Sequence, residues 1–202
     1  VVLDIDASRE NREPNYELIA EMAGEAFMPV AYGGGIRSLE QVRRLIRLGI
    51  EKVVINTAAI ESTEIIRAVA NIYGTQAVVG AVDIKKTLLG RYRVMKRSAT
   101  MDAGIGLDAH IQSLVSAGVG ELFITSVDCD GMMMGYDNQL IRHVSQRVNV
   151  PVVACGGAGT VDHLVQAVRD GGASAVAAGS MFVFHGKHRA VLINYPKNIE
   201  LR

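Results

Sequence analysis

Two glycine-rich segments of the chain, residues 33–35 and 156–157, each follow an apolar run and precede a helical pattern. Backbone N–H groups in such a turn, together with the positive end of the following helix, attract a phosphate. The next apolar runs end in small or hydroxylated residues, at 56–57 and 179–180. One interpretation is that the glycines only permit a tight turn. Because two related segments occur, we favour two phosphate sites and a ligand with a phosphate at each end.

Carboxylates close several apolar runs: Asp4, Asp6, Asp83, Asp128 and Asp130. A carboxylate at the end of a buried strand is a candidate for proton transfer, because partial desolvation raises its pKa toward neutrality. Some of the five are expected instead to cap helices or to accept hydrogen bonds from loop backbone. Asp83, which follows AVVGAV, is the best catalytic candidate.

For these residues to form one site, the fold must bring the ends of several strands together. The chain alternates short β-rich runs with helical patterns, and the runs are apolar on both faces, which indicates βαβ units and a parallel sheet in an α/β protein. The segment 87–106, long and rich in Lys and Arg, is expected to form a loop or small hairpin over the phosphate sites. The predicted strands are 1–6, 29–33, 52–57, 77–83, 121–128, 151–156 and 174–180.

An internal repeat indicates a closed architecture. With Pro29 placed on Pro151, an offset of 122 residues, Gly34 and Gly35 fall on Gly156 and Gly157. A period of this size holds about four βα units, and two such halves make a (β/α)₈ TIM barrel, whose active face lies at the carboxyl ends of the strands.

Seven strands rather than eight can be counted, and the chain begins inside a strand. We therefore expect one domain over residues 1–202 that lacks the first strand and first helix. The same offset places the repeat mate of Asp83 before Val1, so the repeat predicts a pair of carboxylates of which this chain carries one.

Composition excludes several classes of protein. The 202 residues are 49% hydrophobic and carry 21 basic and 21 acidic side chains, so nothing indicates a nucleic-acid partner. The longest apolar run, 175–184, is about half the ~20 residues of a membrane span. We expect a cytoplasmic protein without a membrane partner. The two cysteines are assigned no role, and we expect neither a metal nor a cofactor.

Several segments together resemble the cyclase subunit of imidazole glycerol phosphate synthase, the HisF family of histidine biosynthesis. The resemblance covers nearly the whole chain, in order. A related isomerase shares the two-fold barrel, but usually has Gly at the place of Asn56 and lacks the pair Tyr136 and Asp137, so the cyclase is favoured. The segments are VAYGGGIRSLE, EKVVINTAAI, GTQAVVGAVDIK, ITSVDCDG with GYD, and VVACGGAGTVDH.

The resemblance implies a function. Such cyclases receive ammonia from a glutaminase subunit docked at the amino-terminal face of the barrel. They use it to convert a bis-phosphorylated ribulosyl intermediate to imidazole glycerol phosphate and aminoimidazole carboxamide ribotide. It also implies catalytic roles for Asp83 and Asp130 and an ammonia gate of Lys52 and Glu121, for which the alternative is a surface ion pair. The predicted substrate-binding residues are Asp4, Gly34, Gly35, Asn56, Thr57, Thr125, Asp128, Gly131, Gly156, Gly157, Gly179 and Ser180.

Some residues depart from the family's usual pattern. Methionines 132–134 stand where the histidine enzyme usually has Thr and Lys, Cys155 stands where it usually has Ser, and the tail from 182 onward differs. These departures resemble a paralogous branch that delivers ammonia to a nucleotide-linked acetamido sugar in surface-polysaccharide synthesis. In that branch His185, Lys187, His188 and Arg189 would bind an anionic nucleotide-sugar; otherwise they form a solvated basic turn. A non-catalytic activator of a glutaminase is a third alternative.

Overall fold

Seven parallel strands form one curled sheet in the computed structural model, which describes residues 1–186, 188–193 and 195. An antiparallel hairpin extends the fourth of these strands, and a separate hairpin lies near the end of the described chain. The strands are β1 (Val2–Leu3), β2 (Ala31–Gly33), β3 (Lys52–Ile55), β4 (Val78–Lys86), β5 (Tyr92–Lys96), β6 (Met101–Asp102), β7 (Glu121–Ser126), β8 (Val152–Cys155), β9 (Ala175–Val176), β10 (Phe184–His185) and β11 (Ala190–Val191).

Helices connect the parallel strands, as the alternating sequence pattern predicts. The helices are α1 (Ile5–Arg9), α2 (Tyr16–Glu25), α3 (Leu39–Arg47), α4 (Thr57–Glu61), α5 (Glu64–Tyr73), α6 (Leu107–Ala117), α7 (Asn138–Ser145), α8 (Val161–Arg169) and α9 (Ser180–Val183), with a 3₁₀ turn over Thr75–Ala77.

The sheet has the order β1-β2-β3-β4-β7-β8-β9, and every neighbouring pair on this path is parallel. The α/β class and the seven predicted parallel strands are thus confirmed. The first strand is shorter than predicted: it ends at Leu3, because Asp4 caps a helix that occupies Ile5–Arg9. The segment after β4 forms the hairpin β5–β6, so the expectation of a small hairpin there is confirmed.

The internal repeat is visible in the helix caps. Ser38 caps α3 and Thr160 caps α8, and the bounds of the two helices differ by the same 122 residues as the caps. Each hydroxyl accepts a hydrogen bond from the backbone N–H three residues on, which replaces one of the bonds that a helix start lacks. Two copies of one βα unit therefore position the two glycine-rich segments in the same way.

The hydrophobic core has an outer and an inner layer. The larger layer packs helix faces such as Val42 and Leu45 of α3 against the outer face of the sheet. A smaller cluster, which we call the inner layer, consists of Val54, Val79, Ala81 and Phe123 on the concave side of the strands. Because successive side chains of a strand point to opposite faces, the same strands supply both layers.

Among the described residues no helix is both long enough and apolar enough to cross a membrane.

Candidate functional site

A cavity of about 600 Å³ opens at the carboxyl ends of β1, β2, β3, β4, β7 and β8. This is the end of a parallel α/β sheet at which ligands bind. Eight of the residues predicted from the sequence line the cavity: Asp4, Gly34, Gly35, Asn56, Thr57, Asp83, Thr125 and Asp130.

Asp83 lies near the carboxyl end of β4, three residues before the strand ends at Lys86. The amide Nδ2 of Asn56 donates a hydrogen bond to its Oδ2 at 2.9 Å. Burial raises the pKa of Asp83 to about 6, and the negative charge of Asp130 adds to this, while hydrogen bonds from Asn56 and Thr125 oppose it. A carboxyl group with a pKa near 6 can accept and return a proton close to neutral pH.

The neighbours of Asp83 follow from strand register. Thr125 of β7 is paired with Asp83 on one side and with Cys155 of β8 on the other, so the three side chains form a row across the sheet. Burial raises the pKa of the Cys155 thiol to about 11, and the charge of Asp130 adds to this. Cys155 is therefore a neutral thiol in the cavity wall and, at neutral pH, an inert one.

The first glycine-rich segment forms what we call the first cradle, consisting of Gly34, Gly35 and Thr57. A Cβ on Gly34 would lie 2.5 Å from the carbonyl oxygen of Asp4, and one on Gly35 would lie 2.6 Å from that of Arg12. Both glycines have positive φ, so the tight turn does require them. These two glycines and Thr57 line the cavity, and no backbone carbonyl in the described chain accepts a hydrogen bond from their N–H groups. The cradle therefore offers N–H donors to an anion.

Three arginines join the first cradle, and the sequence reasoning did not single them out as ligands. Arg9 comes from α1, Arg37 from the turn before α3, and Arg97 from the β5–β6 turn; all three line the cavity. The N–H of Arg97 donates to Thr57 Oγ1 at 3.1 Å, which holds that turn against the cradle. Two of them had a signal in the sequence: Arg37 follows Gly35 by two residues, and Arg97 belongs to the basic segment 87–106 that was expected over the phosphate sites.

Two predicted binding residues, Asp4 and Asp128, make mostly structural contacts. The guanidinium of Arg12 donates to both oxygens of Asp4, at 2.7 and 2.8 Å, and the backbone N–H groups of Asp6 and Ala7 donate to Oδ1. Although burial opposes the charge, these bonds hold the pKa of Asp4 below its ordinary value. Asp128 accepts from the backbone N–H of Lys86 at 2.7 Å.

The second glycine-rich segment and its neighbours form the second cradle, which consists of Gly131, Gly156, Gly157, Gly179 and Ser180. These residues and Asp128 are not among the lining of the large cavity. The packing is tighter than in the first cradle, since a Cβ on Gly157 would lie 2.0 Å from the carbonyl oxygen of Gly135. The structure thus brings together the first cradle and Asp83, and places the second cradle beside them.

A second cavity of about 190 Å³ lies at the amino-terminal ends of the strands. Lys52 and Glu121 line it and form an ion pair across it, with their side chains 29% and 24% exposed. The inner layer separates this cavity from the large one, and Val54 lines both. The two cavities therefore lie at opposite ends of the barrel interior.

The tail forms the short β10–β11 hairpin next to the second cradle. Arg189 Nη2 donates to the carbonyl oxygen of Gly131 at 3.0 Å, and His185 and His188 are exposed. Lys187 lies outside the described residues. Among those residues, no group of three His, Cys, Asp or Glu side chains could hold a metal ion.

The fold and site define a parallel α/β protein whose curled sheet carries a cavity at the carboxyl ends of its strands. The sequence pattern of the family described as histidine biosynthesis protein matches residues 1–189. The chain therefore belongs to this TIM-barrel family, and to its HisF branch by the relatives that follow, so the resemblance found in the sequence is confirmed.

Three similar proteins carry provisional names. One from Pseudomonas aeruginosa, imidazole glycerol phosphate synthase subunit hisF2, is 52% identical over 97% of this chain and 78% of its own length. A HisF subunit from Leptospira borgpetersenii is 42% identical over 98% and 79%. The hisF3 subunit of Vibrio vulnificus is 40% identical over 98% and 77%.

Proposed function

We propose that the protein is the ammonia-using synthase subunit of a glutamine amidotransferase, acting on a substrate with two phosphate groups. The observation that carries this proposal is the position of Asp83: a carboxyl group with a pKa near 6 in the same cavity as an anion cradle. The names of the relatives support the substrate of histidine biosynthesis, the bis-phosphorylated ribulosyl intermediate.

In this proposal Asp83 transfers protons during cleavage and ring closure. A group with a pKa near 6 is mostly ionised at pH 7 to 8, so it acts first as a base and afterwards returns the proton. Asn56 holds one carboxylate oxygen and thereby orients the other. Asp130, whose charge raises the pKa of Asp83, is the second catalytic candidate.

The two ends of the substrate bind at the two cradles. The N–H groups of Gly34, Gly35 and Thr57, with the nearby arginines, bind one phosphate in the large cavity. Gly131, Gly156, Gly157, Gly179 and Ser180 bind the other. Thr125 faces the reacting carbons between them, and Asp4 and Asp128 shape the loops at the edge of the site.

Ammonia enters, in this proposal, at the small cavity. A glutaminase partner docks at the amino-terminal face, where the ion pair between Lys52 and Glu121 closes the cavity floor. The inner layer between the two cavities is built from apolar side chains, which suit neutral ammonia better than ammonium. Breaking the ion pair is expected to lower the rate of the reaction that uses glutamine more than the rate of the reaction that uses free ammonia.

A second candidate function is the transfer of ammonia to a nucleotide-linked acetamido sugar. Two observations favour it: Cys155 lines the catalytic cavity, and Met132 and Met134 are exposed beside the second cradle, with 58% and 80% of their surface accessible. These are the positions at which the chain departs from the usual pattern of the histidine enzyme. Two of the relatives carry the numbered names hisF2 and hisF3, which mark them as paralogues within the HisF family.

The test is a steady-state assay at pH 8.5 with ammonium salt and the ribulosyl intermediate, with Asp83→Asn beside the wild type. We expect Asp83→Asn to lower kcat at least about 100-fold. Asp162→Asn, on the exposed face of α8, is the matched control and should retain full activity. Turnover that survives in Asp83→Asn would contradict the assignment of Asp83.

The partner and the substrate need separate measurements. With a glutaminase subunit and glutamine in place of ammonium salt, Lys52→Ala should lower the rate, while its rate with ammonium salt stays near that of the wild type. If the wild-type protein binds the glutaminase but does not turn over the ribulosyl intermediate, the result would favour the acetamido-sugar reaction.

A further inference from the structure

The β10–β11 hairpin places a guanidinium group at the rim of the second cradle. Arg189 Nη2 donates to the carbonyl oxygen of Gly131 at 3.0 Å. The guanidinium carbon lies 4.9 Å from the centroid of the Phe184 ring, a cation–π distance. These two contacts fix the charged group beside Gly131, although the side chain belongs to a segment more than fifty residues further along the chain.

The second cradle also has N–H donors without acceptors. Within the described chain, no backbone or side-chain acceptor takes the N–H of Gly131, Gly157 or Ser180. The loops that carry two of these groups are in close contact, since a Cβ on Gly156 would lie 3.4 Å from the Asp130 nitrogen. Such N–H groups attract an anion.

The loop beside the second cradle carries negative charge of its own. The same loop carries the carboxylates of Asp128 and Asp130, which repel an anion at the second cradle. The first cradle has Arg9, Arg37 and Arg97 in its cavity. At the second cradle, the guanidinium of Arg189 lies next to Gly131 and supplies a positive charge there.

We propose that Arg189 binds the second anionic end of the substrate, a phosphate or a comparable dianion, and so determines specificity for ligands charged at both ends. The inference rests on the proposed function, because it assumes that the second cradle binds substrate. One bond to Gly131 uses one of the five N–H donors of a guanidinium, and a planar group of this kind binds phosphate through two parallel bonds.

The test uses inorganic phosphate and the amide signals of ¹⁵N-labelled protein, so it does not depend on turnover. In the wild type, phosphate should shift the amide signals of Gly34 and Gly35 at the first cradle and those of Gly131 and Gly157 at the second. Arg189→Gln should weaken phosphate binding at the second cradle about tenfold, because a charge-assisted bond is lost. Binding at the first cradle should stay unchanged in the same sample.

Two further variants separate anion binding from simple bracing of the loop. Arg189→Lys, which keeps the charge and loses the planar fork, should recover part of the affinity. Arg67→Gln, on the exposed surface of α5, should change neither cradle. If Arg189→Gln shifts the Gly131 signal without phosphate but leaves the phosphate affinity unchanged, Arg189 only braces the loop and the inference is wrong.

The outcome is distinguishable from failure of the proposed function. A protein that loses turnover in Asp83→Asn, but whose second cradle binds phosphate equally well in wild type and Arg189→Gln, would keep the proposed function and overturn the role of Arg189. A protein inactive on the ribulosyl intermediate that shows the tenfold change would retain the role of Arg189.

Discussion

The two cradles come from one repeated βα unit but have different surroundings. Gly34 and Gly35 open onto a cavity of about 600 Å³ that also holds Asp83, whereas Gly156 and Gly157 pack against the 126–135 loop, outside the lining of that cavity. The N-cap residues and the bounds of the two helices are related by the same offset of 122 residues. The two repeated units thus share the same backbone elements, and the difference between the two cradles comes from side chains and loops elsewhere in the chain.

The charges show the same division. The first cradle draws arginines from three different connections, and the second has the guanidinium of Arg189. We expect the first cradle to tolerate the loss of one arginine, because two others line the same cavity, and the second cradle to be more sensitive to the loss of Arg189. The predictions below test this asymmetry, beginning with the largest expected effect.

Gly157→Ala should destabilise the protein by roughly 3 kcal/mol, because positive φ and a carbonyl oxygen 2.0 Å from the new Cβ both oppose the side chain. The matched control, Gly179→Ala, has an ordinary φ of −115° and no atom within 4 Å, so it should change stability by less than about 0.5 kcal/mol. Urea unfolding followed by circular dichroism measures both. Equal stability of the two variants would contradict the close packing of Gly157 against the backbone of Gly135.

Asp83→Asn should become more stable relative to wild type as the pH rises. The folded protein holds the Asp83 proton with a pKa of about 6, against 3.8 for the unfolded chain, so wild-type stability from this group is present below pH 4 and lost as the pH rises through 6. The variant lacks this loss, and the difference should grow by about 2 kcal/mol between pH 4 and 7.5. Unfolding free energies at both pH values measure it; a constant difference would contradict the raised pKa.

Asn56→Ala should raise the pKa of Asp83 further, because the amide bond that favours the carboxylate is removed. We expect an increase of up to about one pH unit. The pH dependence of the Asp83 carboxyl ¹³C signal measures it directly. Asn71→Ala, at an exposed position on α5, is the control and should leave the midpoint at about 6. A midpoint that stays there in Asn56→Ala would remove Asn56 from the environment of Asp83.

Arg97→Gln should weaken phosphate binding at the first cradle only about two- to threefold, since Arg9 and Arg37 remain in the cavity. The amide shifts of Gly34 during a phosphate titration measure this, and the second cradle serves as the internal control. A loss as large as that expected for Arg189→Gln would show that the three arginines are not interchangeable.

Much of the scaffold was predictable from local patterns. Apolar runs with helices between them gave all seven parallel strands, and the offset of 122 residues gave the repeat, because strand period and glycine turns are encoded within a few residues. The position of Asp83 in the cavity was predicted in the same way, from a carboxylate that follows the apolar run AVVGAV, although β4 continues to Lys86.

The rest depends on contacts between distant segments. Asp4 looked like a strand-end ligand, but Arg12 captures both of its oxygens and the strand stops at Leu3. The basic segment 87–106 was expected near the phosphate sites, but no local pattern places Arg9, almost ninety residues before Arg97, in the same cavity. The separation of the second cradle from the cavity likewise follows from loop packing, which the glycine spacing does not encode.

β4 links the two ends of the barrel and fixes how far apart they are. Val79 lines the small cavity, Ala81 belongs to the inner layer, and Asp83 lines the large cavity. A strand rises about 3.3 Å per residue, so the span from Val79 to Asp83 is about 13 Å. A shift of one residue would turn Asp83 to the outer face, so this span can change only in steps of two residues. The pleat of a single strand therefore sets the distance between the two cavities.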